Sequence, residues 1–121
     1  MGKNISFIDI IVPEEGRDYN GHLGEPGYEP LLVQGRIKLF EETGVGYREL
    51  ASRDPPLAFY IPTSHMEHPG EVLIGDKIGI FTWFQYEKGP RIRVNQEMMK
   101  GNQIVTTKWL DFVFIKKKDS R

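Results

Sequence analysis

"YEPLLVQGRIKLFEETG", residues 28–44, carries the apolar spacing of a helix, and the fold follows from how that helix is covered. Pro30 suits a first helical turn, where a missing N–H costs nothing. Val33, Ile37 and Phe40 recur at three- and four-residue intervals and share one face, and Leu32 and Leu39 widen it. Gly44 is a natural stop, because glycine reaches the left-handed conformation that closes a helix. A helix apolar over so much of its circumference needs cover on several sides. Gly35, in its middle, costs about 1 kcal/mol against alanine, a loss tolerated where a sheet comes close to the helix backbone.

Outward from this helix the chain reads as β. "ISFIDIIV" (residues 5–12) is short and β-branched. "LAFYIPTSHMEH" (residues 57–68) is strand-like, and Pro62 within it implies an edge position or a bulge. "DKIGIFTWFQYE" (residues 76–87) alternates Ile78, Ile80, Thr82 and Phe84 against Gly79, Phe81, Trp83 and Gln85. "KGP" turns the chain into "RIRVNQEMM", and "KGN" turns it again into "QIVTTKWLDFVFI". The expectation is one α+β domain over residues 1–121: a five-stranded antiparallel sheet wrapped about one long helix, its last four strands joined by tight hairpins.

Composition bounds the function. The 16 basic and 17 acidic side chains nearly cancel, which argues against a nucleic-acid footprint. "KKK" at residues 116–118 reads as a solubilising tail. The absence of cysteine excludes a thiolate nucleophile, disulfides and Cys-ligated zinc, and fits a reducing compartment. "MGKNISFIDI" lacks a signal peptide's basic head and long apolar run, and strand-like sequence follows too soon for "MG" to read as an acylation signal. No apolar run reaches the roughly 20 residues of a membrane span. A cytoplasmic protein without membrane attachment is expected.

The loop before the helix holds the chemistry. "DYNGHLGE" sets Asp18 and His22 four residues apart, in a segment rich in glycine and proline. A carboxylate there can take a proton from water or attack a carbonyl itself. The first N–H groups of the following helix lack intrahelical partners and carry the positive end of its dipole. Such donors can hold a carbonyl oxygen as it gains charge, each contributing about 10² to 10³ in rate. Together they make a constellation for acyl transfer, in which His22 would position Asp18, polarise the carbonyl or shuttle the proton. The same residues also admit plainer roles: Asp18 can cap a turn or pair with Arg17, and His22 can be structural.

"DYNGH", followed by Gly24, Tyr28, Arg36 and a helix ended by Gly44, resembles the hot-dog-fold thioesterases of the 4-hydroxybenzoyl-CoA type, which the chain follows without a gap over residues 21–45. "HPGEVLIGDKI" resembles the family's segment that opens its third strand, and "DYNGHLGE" with "SHMEHPGEVLIGDKI" resembles the betainyl-CoA thioesterase branch. The resemblance implies a hot-dog fold and hydrolysis of an acyl-CoA thioester with no cofactor beyond the CoA of the substrate. It implies Asp18 as catalytic carboxylate, nucleophile or base, His22 as the motif histidine, and the main-chain N–H of Glu25 as oxyanion donor. It also implies a homodimer or homotetramer, with sheets joined edge to edge and the sites between subunits. The chain departs from the family in placing Gly24 where relatives carry asparagine, and in lacking a carboxylate near Val33 and Gln34. Pro26, Gly27 and Pro30 are dense breakers for a helix start and can shift it by a residue or two.

Tyr28, His65, Trp83 and Arg91 are the candidate substrate contacts. His65 would line the pocket if its strand passes the helix start. Trp83, Trp109, Tyr60 and Phe59 are core residues by default, or a cation–π box should the acyl group be cationic, with charge from Glu25 or Asp111. Lys88, Arg91 and Arg93, near a hairpin, could meet CoA phosphates. His65 and His68 would face opposite sides of a strand, which leaves no shared metal site. The alternative function is a non-catalytic acyl-CoA binding module on the same fold; a hot-dog dehydratase is disfavoured because its histidine and acidic arrangement is absent.

Overall fold

The computed structural model describes residues 5–44, 52–54, 56–86 and 89–116. In chain order these form β1 (Ile5–Ile11), a short 3-10 turn (Glu14–Gly16), α1 (Glu25–Thr43), β2 (Leu57–Glu67), β3 (Lys77–Tyr86), β4 (Arg91–Lys100) and β5 (Gln103–Lys116). The strands make one five-stranded antiparallel sheet in the order β1-β3-β4-β5-β2. This is the hot-dog arrangement: a single long helix laid in the concave face of a curved sheet. No helix among the described residues is long and apolar enough to cross a membrane.

One expectation about connectivity is corrected. Hairpins join β3 to β4 and β4 to β5, but β2 does not pair with β3; it crosses to the far edge and pairs with β5. Pro62 sits where it was expected, on an edge strand and within a register shift between Tyr60 and Thr63. There the missing N–H disrupts no interior ladder.

The helix is also longer than its periodicity suggested. It begins at Glu25, with Gly24 as N-cap, so Pro26 occupies the tolerated first turn and Pro30 lies inside the helix. Gly44 closes it in the left-handed conformation (φ 75°), donating its N–H to the Phe40 carbonyl. The buried stripe is Tyr28, Leu31, Leu32, Gly35, Arg36, Leu39 and Phe40. Leu32 and Leu39 are its centre rather than its margin, Val33 is half-buried, and Ile37 is exposed. Packing against the sheet selects this stripe, which runs from Tyr28 one step round from Val33 and Ile37.

The helix packs over β1, β3 and β4. At Gly35 a Cβ would lie 2.8 Å from Thr82 Oγ1 and 3.0 Å from both Gln96 Nε2 and Ile80 Cγ2, so the close approach expected there is present. Around it sit two apolar clusters. One joins Leu31 and Leu32 to Ile78, Ile80, Met98 and Val105; the other joins Leu39 and Phe40 to Val94, Leu110 and Phe112. Between them runs a polar seam. Gln96 Nε2 donates to the Leu32 carbonyl (2.9 Å) and to Thr82 Oγ1 (3.0 Å), while Gln96 Oε1 accepts from Arg36 (3.0 Å). Arg36 and Lys108 both donate to the Glu29 carboxylate.

Three carboxylates in these ion pairs titrate below their ordinary range. Hydrogen bonds from Arg93, against the opposing effect of burial, hold Asp111 down, and Arg91 assists. For Glu29 and Asp76 burial alone would raise the value, but Lys108 with Arg36, and Lys100 with the Leu73 N–H, outweigh it. A depressed folded pKa contributes stability that is complete above the unfolded value and is lost as pH falls through the folded one. The ordinary values are 4.5 for Glu29 and 3.8 for the two aspartates, so stability should decline below about pH 4.5. Asp111→Asn should be less stable at neutral pH and show a shallower decline in acid, read by circular dichroism; an acid profile parallel to that of the unaltered protein would contradict this.

Candidate active site

The 3-10 turn and the loop that follows it bring Asp18 to the start of α1. Gly16 and Gly27 make this possible, because a Cβ on Gly27 would meet Gly16 Cα at 3.0 Å and Leu23 Cδ1 at 2.5 Å. The turn therefore rests directly on the first helical turn. The loop is also sewn to the segment before β3: Leu23 N–H donates to the Val72 carbonyl (2.8 Å), and Ile74 N–H to the Gly21 carbonyl (3.0 Å).

Asp18 is held by its own loop. Its Oδ1 accepts the main-chain N–H groups of Asn20 (2.8 Å) and His22 (3.0 Å). Among the described residues its Oδ2 has no partner, and Arg17 pairs with Glu14 (2.8 Å) instead. The carboxylate is thus both the cap of a turn and a half-open anion. It lies on the wall of a cleft of about 320 Å³, together with Gly24, Pro26, Pro30 and Leu31.

The first-turn donors can be accounted for one by one. Gly24 N–H donates to the Gly16 carbonyl (2.8 Å), Pro26 has no N–H, and Gly27 N–H donates to the Gly24 carbonyl (2.9 Å). Glu25 N–H is left without a partner among the described residues. It stands next to Gly24, where an added Cβ would be 3.6 Å from that of Asp18. The breakers that could have displaced the helix start leave the Glu25 N–H, among the described residues, without a partner at the residue after Gly24.

The other expected residues are distributed unevenly. The His22 ring is not on Asp18: its Nε2 lies 2.8 Å from Glu71, and only its main-chain N–H holds the carboxylate. Tyr28 is buried on the first turn, its ring centroid 4.2 Å from that of His68. Burial first, then the Glu25 carboxylate, pushes its hydroxyl pKa up, so it remains a donor. His65, Trp83 and Arg91 lie on the sheet face opposite the helix, where strand alternation puts them. There His65 pairs with Glu67 (2.9 Å) and stacks on Trp109, and Arg91 donates to Asp111 (3.0 Å).

The proposed cation box is likewise not assembled. Trp109 is already covered by the Arg93 guanidinium at 3.9 Å, and Phe59 packs in the core against Phe112. Lys88, the remaining candidate phosphate contact, lies outside the described residues. The histidine that does reach the helix start is His68, which sequence reading set aside. His68 stands one residue past the end of β2 and still falls on the face opposite His65, as strand alternation predicts. Its three-residue offset from His65 was the available signal.

A family model described as thioesterase-like superfamily matches residues 11–121. No curated protein matches the sequence. Among solved structures, a probable thioesterase from Bartonella henselae superposes with a TM-score of 0.83 at 19% identity, over 94% of each chain. A 1,4-dihydroxy-2-naphthoyl-CoA thioesterase from Synechocystis gives 0.82 at 10% identity, over 95% of this chain and 85% of that one. A Staphylococcus aureus protein solved in complex with CoA gives 0.83 at 15% identity, over 96% and 73%. At these identities the likeness to each is one of fold.

Proposed function

Because the chain belongs to the thioesterase-like superfamily, we propose that it hydrolyses an acyl-CoA thioester to the free acid and CoA. One observation carries the reading: among the described residues, a carboxylate with one oxygen fixed by two N–H groups and the other unpartnered precedes a helix whose Glu25 N–H is also unpartnered. The thioester carbonyl oxygen is received by Glu25 N–H, where the helix dipole also favours developing negative charge. Asp18 acts through Oδ2, either taking a proton from the attacking water or attacking the carbonyl carbon to form an anhydride that water then opens. Label found in Asp18 after a single turnover in isotopically labelled water would establish the second route, since it arises only when water opens the anhydride at the Asp18 carbonyl.

The cleft of about 320 Å³ is at the lower end of the usual range for ligand pockets, so a small acyl group fits best. A cationic group such as betainyl is a further proposal, supported by the carboxylates of Asp18, Glu25 and Glu71 around Tyr28. Comparing betainyl-CoA with a neutral ester of equal size tests it; equal kcat/KM would remove it. We further propose a homodimer joined through the edge strand β2, which exposes Tyr60 and Ile61. Light scattering on the protein and on Ile61→Lys tests that pairing.

The central test is release of free thiol from a panel of short, branched, aromatic and cationic acyl-CoAs. Turnover of at least one is expected. Binding without turnover across the panel would favour the acyl-CoA binding module, for which Gly24 in place of asparagine is the motivating feature. His22→Ala should cost less than the roughly 10² of an acid–base group, because the main-chain N–H that holds Asp18 survives the substitution.

A further inference from the structure

We propose that His68 is the general acid of the site, giving a proton from Nε2 to the departing sulfur. The inference rests on the thioester-hydrolase reading above. It begins with a hydrogen-bond ledger around Thr106, a fully buried residue of β5. A threonine hydroxyl has one proton to donate and two lone pairs to accept with. Thr106 Oγ1 donates to the Val105 carbonyl at 2.8 Å. The Tyr28 hydroxyl also interacts with the Thr106 side chain. His68 Nδ1 lies 3.1 Å from it. With the hydroxyl proton on Val105, Thr106 accepts from the ring, and the proposed acid carries a proton on Nδ1.

That assignment fixes the function of the other nitrogen. Nε2 points to the first turn of α1, 3.5 Å from Glu25 Oε1. Both ring nitrogens therefore face side-chain oxygens, Thr106 Oγ1 at Nδ1 and Glu25 Oε1 at Nε2. The groups facing the ring are Glu25 and Tyr28 from α1 and Thr106 from β5; Asp18 and Glu71 act on Tyr28 at longer range. Glu25 is at once the residue whose side chain meets Nε2 and the residue whose main chain offers the oxyanion donor. The ring is locked by stacking on Tyr28 at 4.2 Å and by Thr106, while its Nε2 edge remains partly open. A histidine held through one nitrogen, with the other turned to the first turn of α1 and partly open, can deliver a proton at the helix start.

The step balances without any further reagent. In the water route, the oxygen of water bonds to the carbonyl carbon as its proton passes to Asp18. The C–S bond then breaks, its electron pair goes to sulfur, and Nε2–H delivers the proton that makes the thiol. Asp18 returns its proton to solvent and His68 regains one from solvent. One water is consumed, and one carboxylic acid and one thiol are formed.

The test varies the leaving group. His68→Gln and His68→Ala are assayed on the best acyl-CoA and on the same acyl group esterified to an acidic aromatic thiol, which departs without a proton. The expected result is a fall in kcat of about 10² on the CoA ester, with little change in KM and little loss on the aromatic ester. The alkaline fall in rate that a proton-donating ring produces should disappear in both variants. Equal losses on the two esters, or an unchanged pH profile, would overturn the assignment while leaving thioester hydrolysis standing. Absence of turnover of any thioester by the unaltered protein would remove both. Near-ultraviolet circular dichroism verifies that each variant is folded.

Discussion

Asp18→Asn should lower kcat for thioester hydrolysis by about 10³ and leave the fold intact. The substitution is close to isosteric, and its amide oxygen can still accept the Asn20 and His22 N–H groups that Oδ1 accepts now. The turn therefore keeps its cap, and the 3-10 turn keeps its seat on the helix. What is lost is the open Oδ2, replaced by an NH₂ that can neither take a proton from water nor attack a carbonyl. The oxyanion donor at Glu25 remains, so residual turnover above the uncatalysed rate is expected. Thiol release measures the loss, and a thermal melt confirms that the loop has not simply unravelled. Turnover within a few-fold of the unaltered protein would show that the carboxylate is a turn cap and nothing more.

Gly35→Ala should destabilise the protein even though alanine is the better helix former. The exchange gains about 1 kcal/mol in helix propensity. Against this stand three contacts at 2.8, 3.0 and 3.0 Å, to Thr82, Gln96 and Ile80. None of the three can yield cheaply. All are buried, and the Gln96 amide is tied at once to the Leu32 carbonyl, Thr82 and Arg36. Overpacking of this kind costs about 1–3 kcal/mol, so the net effect of alanine is a loss of about 1 kcal/mol. Gly35→Val adds two methyl groups in the same place and loses the propensity gain, and about 3 kcal/mol is expected. Urea unfolding gives both values; a stabilised alanine variant would mean that the helix can lift from β3 and β4 without penalty.

The two predictions differ in how far the sequence alone could support them. Gly35 was legible, because a glycine within an apolar helical period has few purposes other than close approach. Asp18 and the free Glu25 N–H were legible too, through the spacing of a motif ahead of a helix and its likeness to a family. His65, Trp83 and Arg91 were not, because alternation says that neighbouring strand residues face opposite ways without saying which face meets the helix. His68 escaped for the related reason that alternation set it opposite His65 without saying that its face was the one meeting the helix. The His22 ring was misdirected because a four-residue spacing says nothing of the torsion that turned it to Glu71.

Local chemistry along the chain was sufficient for the element types, the α+β class and the loop that bears Asp18, since turn residues, alternation and helical spacing act between near neighbours. The pairing of β2 with β5, the face on which each aromatic or charged side chain emerges, and the meeting of His68 with Glu25 arise from contacts between distant segments. Those depend on how the sheet closes over the helix, and residue order encodes that only through the packing of the whole.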